Sequence, residues 1–318
     1  MHPLVERLRG TLLPAVVTPM DRSGAVDRAA LAAYAERVAA GPIGGVAVWA
    51  HTGRGLYLGE RDRADVLTAW RRATSAPLVA GVGVPRALTA PKLAEAEDAT
   101  VAMAVHAAEL GADAVMVYPL AEYAALPDGH ARAVGLHERV AAESGLPLVG
   151  FYLHGEAGGY PYPPELIREL LALPTMLGVK TATLDRAIGC QDAIWAGRGT
   201  GRLAITGEDR MFGPSLMWGA DTALVGIAAA RADLSADVVR AWTDGDHAAF
   251  VRASDRLDRF AAATFFDPIE GYVQRMMWAA VHEGALPEHA AHDPYGPALP
   301  AAERDAVIAC LDELGSAR

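Results

Sequence analysis

The feature that most constrains the fold is an alternation along the chain, in which a short apolar run is followed again and again by an Ala-rich amphipathic stretch. The runs are residues 11–18 (TLLPAVVT), 45–50 (GVAVWA), 77–82 (PLVAGV), 113–118 (DAVMVY), 146–152 (LPLVGFY), 176–180 (MLGVK), 203–206 (LAIT) and 222–227 (TALVGI). Short runs that are apolar throughout, rather than at every second residue, read as parallel strands buried on both faces. Between them, residues 28–40, 60–74, 93–110, 130–143, 164–173, 185–195 and 212–218 read as helices. Asp27 stands at the start of the first of these, and Pro164 in the opening turn of a later one, as helix N-termini favour. Eight short buried strands alternating with helices predict closure into a (β/α)8 TIM barrel.

An open, doubly wound sheet is the competing architecture. It announces itself by G-x-G-x-x-G after its first strand. Here that strand runs into TPMDRSG, and in GVGVPR Arg86 stands where the third glycine belongs. After Ala230 the strand pattern stops, and residues 235–243, 247–262, 268–281 and 300–314 read as helices. The expected organisation is a barrel over residues 1–230 with a C-terminal helical extension over residues 231–318.

A chain of 318 residues with 52% hydrophobic and 21% charged residues can bury a large core. Its net charge of −11 comes without a basic patch, which argues against a nucleic-acid partner. The opening MHPLVERLRG contains Glu6 and no long apolar stretch, so it does not read as a signal peptide, and no segment approaches the ~20 apolar residues of a membrane span. Cys190 and Cys310 match no CxxC motif, and the expectation is a cytoplasmic protein with reduced thiols. His282, Glu283, His289, His292 and Asp293 resemble a metal site in composition alone. Pro287 interrupts them, H-E-x-x-H is absent, and they read as a solvated loop, so no metal is expected. Neither G-x-S-x-G nor a P-loop is present.

The 28 basic residues include two lysines, Lys92 and Lys180. Arginine replaces lysine wherever charge or solvation is wanted, but its guanidinium stays protonated and cannot attack a carbonyl. Lys180 ends the apolar strand MLGVK, at the strand end where barrel enzymes place catalytic groups. Burial there favours the neutral amine, the nucleophile needed for imine formation; a structural ion pair with Glu208 or Asp209 is the alternative. Tyr152 ends the preceding strand and is a candidate proton carrier, or else a packed core tyrosine. Thr52 lies in the Gly-flanked turn H-T-G-R-G, where a hydroxyl and backbone N–H groups can hold a carboxylate, or else is an ordinary loop threonine.

Together these residues resemble the N-acetylneuraminate lyase and dihydrodipicolinate synthase superfamily of class I aldolases and lyases. TPMDRSGAVD fits its opening segment, Gly178-Val179-Lys180 its Schiff-base segment, and Gly207-Glu208-Asp209 its G-x-D turn. The resemblance places Tyr152 on the relay tyrosine, Thr52-Gly53 on the second half of the carboxylate loop, and Leu224 against a bound oxo acid, with an ordinary barrel-core leucine as the alternative for Leu224. It implies a homodimer or homotetramer that acts on a 2-oxo acid without a metal or organic cofactor.

The departures bear on substrate. His51 replaces the loop's first threonine and Arg54 its glutamate, and the Asn and Pro that follow the relay tyrosine are gone. His51 is therefore a candidate donor or acid–base, and His51, His154 and Glu156 are expected to face the distal part of the substrate. The leading expectation is a Schiff-base lyase or aldolase for pyruvate or a longer 2-oxo acid. A dehydratase of a deoxy-keto sugar acid using the same lysine is one alternative, and a non-catalytic, 2-oxo-acid-binding or regulatory barrel is another.

Overall fold

The computed structural model describes residues 2–315. Its strands are β1 (Leu12–Pro14), β2 (Val46–Val48), β3 (Leu78–Val82), β4 (Ala114–Val117), β5 (Leu148–Leu153), β6 (Met176–Ala182), β7 (Leu203–Thr206) and β8 (Thr222–Val225). All pair in parallel, each with its neighbour in sequence, and β8 returns to β1 with Leu224 opposite Leu13. β1 and β2 meet at an Ala15–Ala47 bridge, where the Val16 N–H donates to the Ala47 carbonyl at 3.1 Å. That contact closes the sheet into the expected TIM barrel.

Helices α2 (Arg28–Ala39), α3 (Glu60–Ala73), α4 (Leu93–Glu109), α5 (Gly129–Ser144), α6 (Pro164–Ala172), α7 (Ala187–Ala196) and α8 (Phe212–Trp218) follow β1 to β7 in turn. Asp27 caps α2 by accepting the Ala29 and Ala30 N–H groups at 3.0 and 2.9 Å, so two otherwise orphaned donors are satisfied. The sequence pattern did not foretell α1 (Pro3–Leu8). Val5 and Leu8 of this short helix are buried in one cluster with Leu13, Leu177, Leu203 and Leu224, and so plug the end of the barrel where the strands begin. After β8 come α9 (Ala232–Thr243), α10 (His247–Thr264), α11 (Tyr272–His282) and α12 (Ala301–Leu314). No helix among the described residues is long and apolar enough to cross a membrane.

Two apolar clusters reveal which way each strand residue points. The inner one takes Leu13, Ala47, Val79, Met116, Val149, Phe151, Leu153, Ile205 and Leu224. The outer one, between sheet and helices, takes Leu12, Val46, Val48, Leu148, Tyr152, Met176 and Val179. Alternation along a strand accounts for most of this. β6 breaks it: Leu148 pairs with Met176, but Val149 pairs with Gly178, so β6 carries one extra residue at Leu177. Such a bulge re-aims every side chain beyond it. Gly178 is where the strand needs room, because a Cβ there would overlap the Leu203 carbonyl.

The histidines from the end of α11 onward are dispersed rather than gathered. His282 faces Asp312, His289 faces Asp27, and Asp293 receives Arg54, and no group of metal-type ligands comes together among the described residues.

Candidate active site

A pocket opens at the C-terminal ends of the strands. It is lined by His51 and Thr52 after β2, Phe151 and His154 of the β5 end, Lys180 of β6, and residues 207–210 after β7. Gly226 after β8 and Tyr272 of α11 complete it. Lys180 is 6% exposed, and no hydrogen bond or ion pair joins its Nζ to any described residue. Its contact is the Phe151 ring, whose centroid lies 4.3 Å from Nζ. Burial pulls the Lys180 pKa down from the ordinary 10.5, and the negative charges of Asp209 and Glu208 oppose that shift without cancelling it. Gly207 makes the lysine's path possible, since a Cβ built there would overlap Lys180 Cε.

The two acids of the G-x-D turn do not pair with the amine at salt-bridge distance. Asp209 accepts the Ile227 N–H at 2.7 Å and so ties the β7 and β8 loops together. Glu208, 2% exposed, accepts the Thr183 N–H at 2.8 Å. Burial raises the pKa of both carboxyls, with those backbone hydrogen bonds working in the opposite direction.

Tyr152 does not reach this pocket. Had β5 and β6 kept the register of Leu148 and Met176, Tyr152 would lie opposite Lys180. The bulge brings Phe151 there instead and pairs Tyr152 with Thr181 on the outer face. Tyr152 stacks on Tyr162 with ring centroids 5.8 Å apart, and its hydroxyl lies 3.1 Å from where a Cβ on Gly189 of α7 would stand. The expected relay tyrosine is thus on the helix side of the wall, and a phenylalanine holds the inward position.

Thr52, 4% exposed, is in the pocket, and its hydroxyl is 3.0 Å from the Tyr272 hydroxyl. Tyr272 is fixed between the rings of Phe265, at 4.7 Å, and His51, at 6.2 Å. Gly226 leaves space for this pair: a Cβ on it would lie 2.8 Å from Thr52 Oγ1 and 3.1 Å from Tyr272 Cε2. Gly53 is placed differently from the expectation. Its N–H already donates to the Ala50 carbonyl at 3.0 Å and its carbonyl accepts the Thr18 hydroxyl at 2.7 Å, so it shapes the turn from beneath. Leu224 is fully buried in the inner cluster among the residues facing Leu13, below the pocket lining.

His51 contacts both Glu270 oxygens, at 2.9 and 3.0 Å. Arg54 donates to Glu270 at 2.7 Å and to Asp293 at 2.7 Å, with the Arg54 and Asp293 side chains both buried. Burial alone would raise the Glu270 pKa, but the His51 and Arg54 contacts outweigh it and hold the carboxyl down at about 2. His51 is lowered by burial against the pull of Glu270. His154 lines the mouth, and its Nδ1 is 3.0 Å from Glu156, an exposed side chain outside the pocket lining. The sequence pattern marked none of Phe151, Glu270 and Tyr272, and it placed in a solvated loop Asp293, whose side chain is buried against Arg54. Glu270, Tyr272 and Asp293 come from the segment after the barrel, where no strand end marked them.

The eight parallel strands form a TIM barrel with a buried lysine at its mouth. The family model described as the dihydrodipicolinate synthetase family matches residues 8–313, and the chain belongs to that family of lyases and aldolases. A 4-hydroxy-tetrahydrodipicolinate synthase of Bifidobacterium longum (strain DJO10A) is 28% identical over 290 residues, covering 90% of this chain and 89% of the relative. Another so named, from Streptomyces coelicolor, is 30% identical over 239 residues, covering 74% and 72%. Among solved structures, the Ruminococcus gnavus sialic acid aldolase superposes with a TM-score of 0.80 at 18% identity, covering 97% of each chain. A prophage protein of the dihydrodipicolinic acid synthase family from E. coli K12, solved in complex with pyruvate, gives 0.81 at 20% identity, covering 96% of this chain and 98% of that one.

Proposed function

We propose that this protein is a Schiff-base-forming lyase that acts on pyruvate or a longer 2-oxo acid through Lys180. The observation that carries the reading is the lysine itself: buried, held against an aromatic ring, and bound to no acid or carbonyl among the described residues. A desolvated amine of lowered basicity is neutral in a larger fraction of molecules, and only the neutral form attacks a ketone. The resulting iminium draws electrons from the neighbouring bonds, so that a C–C bond breaks or forms, or a hydroxyl leaves. The substrate carboxylate lies by the Thr52 turn, and His51 and His154 meet its distal end. Relatives named as synthase and aldolase, and a structural neighbour solved with pyruvate, support a 2-oxo acid as substrate. We read residues 231–318 as an extension that completes the mouth, because Glu270 and Tyr272 belong to it, and the assembly as a homodimer or homotetramer.

One observation favours a barrel that binds 2-oxo acids without turning them over, namely the phenylalanine at the inward position of β5. Against it stands an amine nucleophile that a simple binder has no use for. Product analysis with 2-oxo-3-deoxy sugar acids tests the lyase reading. Release of pyruvate and an aldehyde identifies an aldolase, and loss of water with the carbon chain intact identifies a dehydratase. Binding of the acids without turnover or imine formation would leave the binding barrel as the better account.

A further inference from the structure

Imine formation moves protons, and β5 offers no group to move them. Phe151 has no hydroxyl, and the Tyr152 hydroxyl lies against α7 on the far side of the strand. Most polar groups that line the pocket are engaged elsewhere. Asp209 accepts the Ile227 N–H, Glu208 the Thr183 N–H, His51 is held by Glu270, and His154 by Glu156. The Thr52–Tyr272 pair differs from all of these. Two hydroxyl groups 3.0 Å apart carry two hydrogens, and their mutual hydrogen bond uses one. The other hydrogen is free for a ligand in the pocket that both residues line.

We infer that Tyr272, from the C-terminal extension and backed by Thr52, is the catalytic proton carrier for imine formation at Lys180. The inference rests on the Schiff-base reading above. The Nζ lone pair forms the bond to C2 of the 2-oxo acid, and the carbonyl π pair moves to oxygen. A proton passes from nitrogen to that oxygen through the tyrosine hydroxyl, giving a neutral carbinolamine. The nitrogen lone pair then forms C=N as the C–O bond breaks. The oxygen leaves as water with a second proton, again through Tyr272, which solvent reprotonates. Burial keeps the phenol protonated at neutral pH, since its pKa is pushed well above the usual range, so it serves as a donor and conduit and not as a standing base. The stack of Phe265 and His51 on its ring, and the missing side chain of Gly226, keep its geometry fixed.

The test is a time course of borohydride quenching with pyruvate on the full-length protein, read as adduct mass against time. Tyr272→Phe removes one oxygen and is expected to slow adduct formation by a factor on the order of 10² to 10⁴, with the same final yield, because a proton carrier changes the rate and not the equilibrium. Thr52→Val is expected to slow it as well at saturating pyruvate, where weaker carboxylate binding no longer limits the rate, and Thr52→Ser to recover most of what Thr52→Val loses; these two carry the test if Tyr272→Phe fails to fold, and a Thr52→Val rate that saturating pyruvate restores overturns the assignment. Tyr152→Phe is expected to match the unsubstituted chain. A Tyr272→Phe variant with unchanged kinetics, or a Tyr152→Phe variant slowed in its place, overturns the assignment while leaving the Schiff base intact. No adduct in the unsubstituted protein overturns both.

Discussion

Phe151, not Tyr152, faces Lys180 across the β5–β6 pair, with its ring centroid 4.3 Å from Nζ. An aromatic face attracts a cation and excludes water, so the two effects on lysine basicity oppose each other. Desolvation prevails here, and the pKa lies below 10.5. The rate of imine formation should therefore rise with pH through an inflection below that of a free lysine. Phe151→Ala opens the amine to water and moves the inflection upward, at a stability cost of about 3–5 kcal/mol for the lost aromatic core residue. A pH–rate profile of both proteins checks the shift, and an unmoved inflection would mean that the ring does not set the basicity.

Gly207 is required by its contacts. A Cβ there meets Lys180 Cε and the Thr181 carbonyl, and the latter is backbone that cannot turn away. Gly207→Ala should displace the lysine from the pocket and reduce adduct formation by at least about tenfold, since overpacking of about 1–3 kcal/mol falls on the side chain that must be aimed. Trapping yield against a thermal unfolding curve separates misplacement from unfolding.

Arg54 and Asp293 form a buried pair that joins the β2 turn to the segment after α11, with the guanidinium also gripping Glu270. Asp293→Ala leaves a buried cation short of a partner. The expected loss is about 3–5 kcal/mol in denaturant unfolding. A loss under about 1 kcal/mol would show that the pair is dispensable for folding.

Glu270 sets an acid limit. Its folded-state pKa of about 2 lies below the ordinary 4.5, so the folded chain binds fewer protons than the unfolded one between those values. The stabilisation is full above about 4.5 and is lost as pH falls toward about 2. Glu270→Gln should flatten this part of the stability–pH curve, measured by thermal unfolding at a series of pH values. An unchanged slope would remove Glu270 as its source.

The sequence revealed the barrel because each strand is apolar on both faces, and that same property hid which way its residues point. Phe151 and Tyr152 are adjacent and both aromatic, so nothing in the run LPLVGFY says which faces inward. Counting from Leu148 and Met176 points to Tyr152, and the extra residue in β6 reverses the answer. Lys180 was legible for a chemical reason, a rare amine at the end of an apolar strand, and Thr52 because of its Gly-flanked turn. Tyr272 and Glu270 were not, because the start of α11 and the turn before it, far along the chain, reach the mouth through tertiary contacts alone. Glu156 was expected at the substrate, and it holds His154 from the exposed side instead.

Whether Lys180 forms an imine is read from borohydride reduction in the presence of pyruvate, followed by intact mass and peptide mapping, with Lys180→Ala as control. A pyruvyl adduct is expected on the peptide that contains Lys180, absent from the control. No adduct with pyruvate or with a panel of longer 2-oxo acids would contradict the Schiff-base reading.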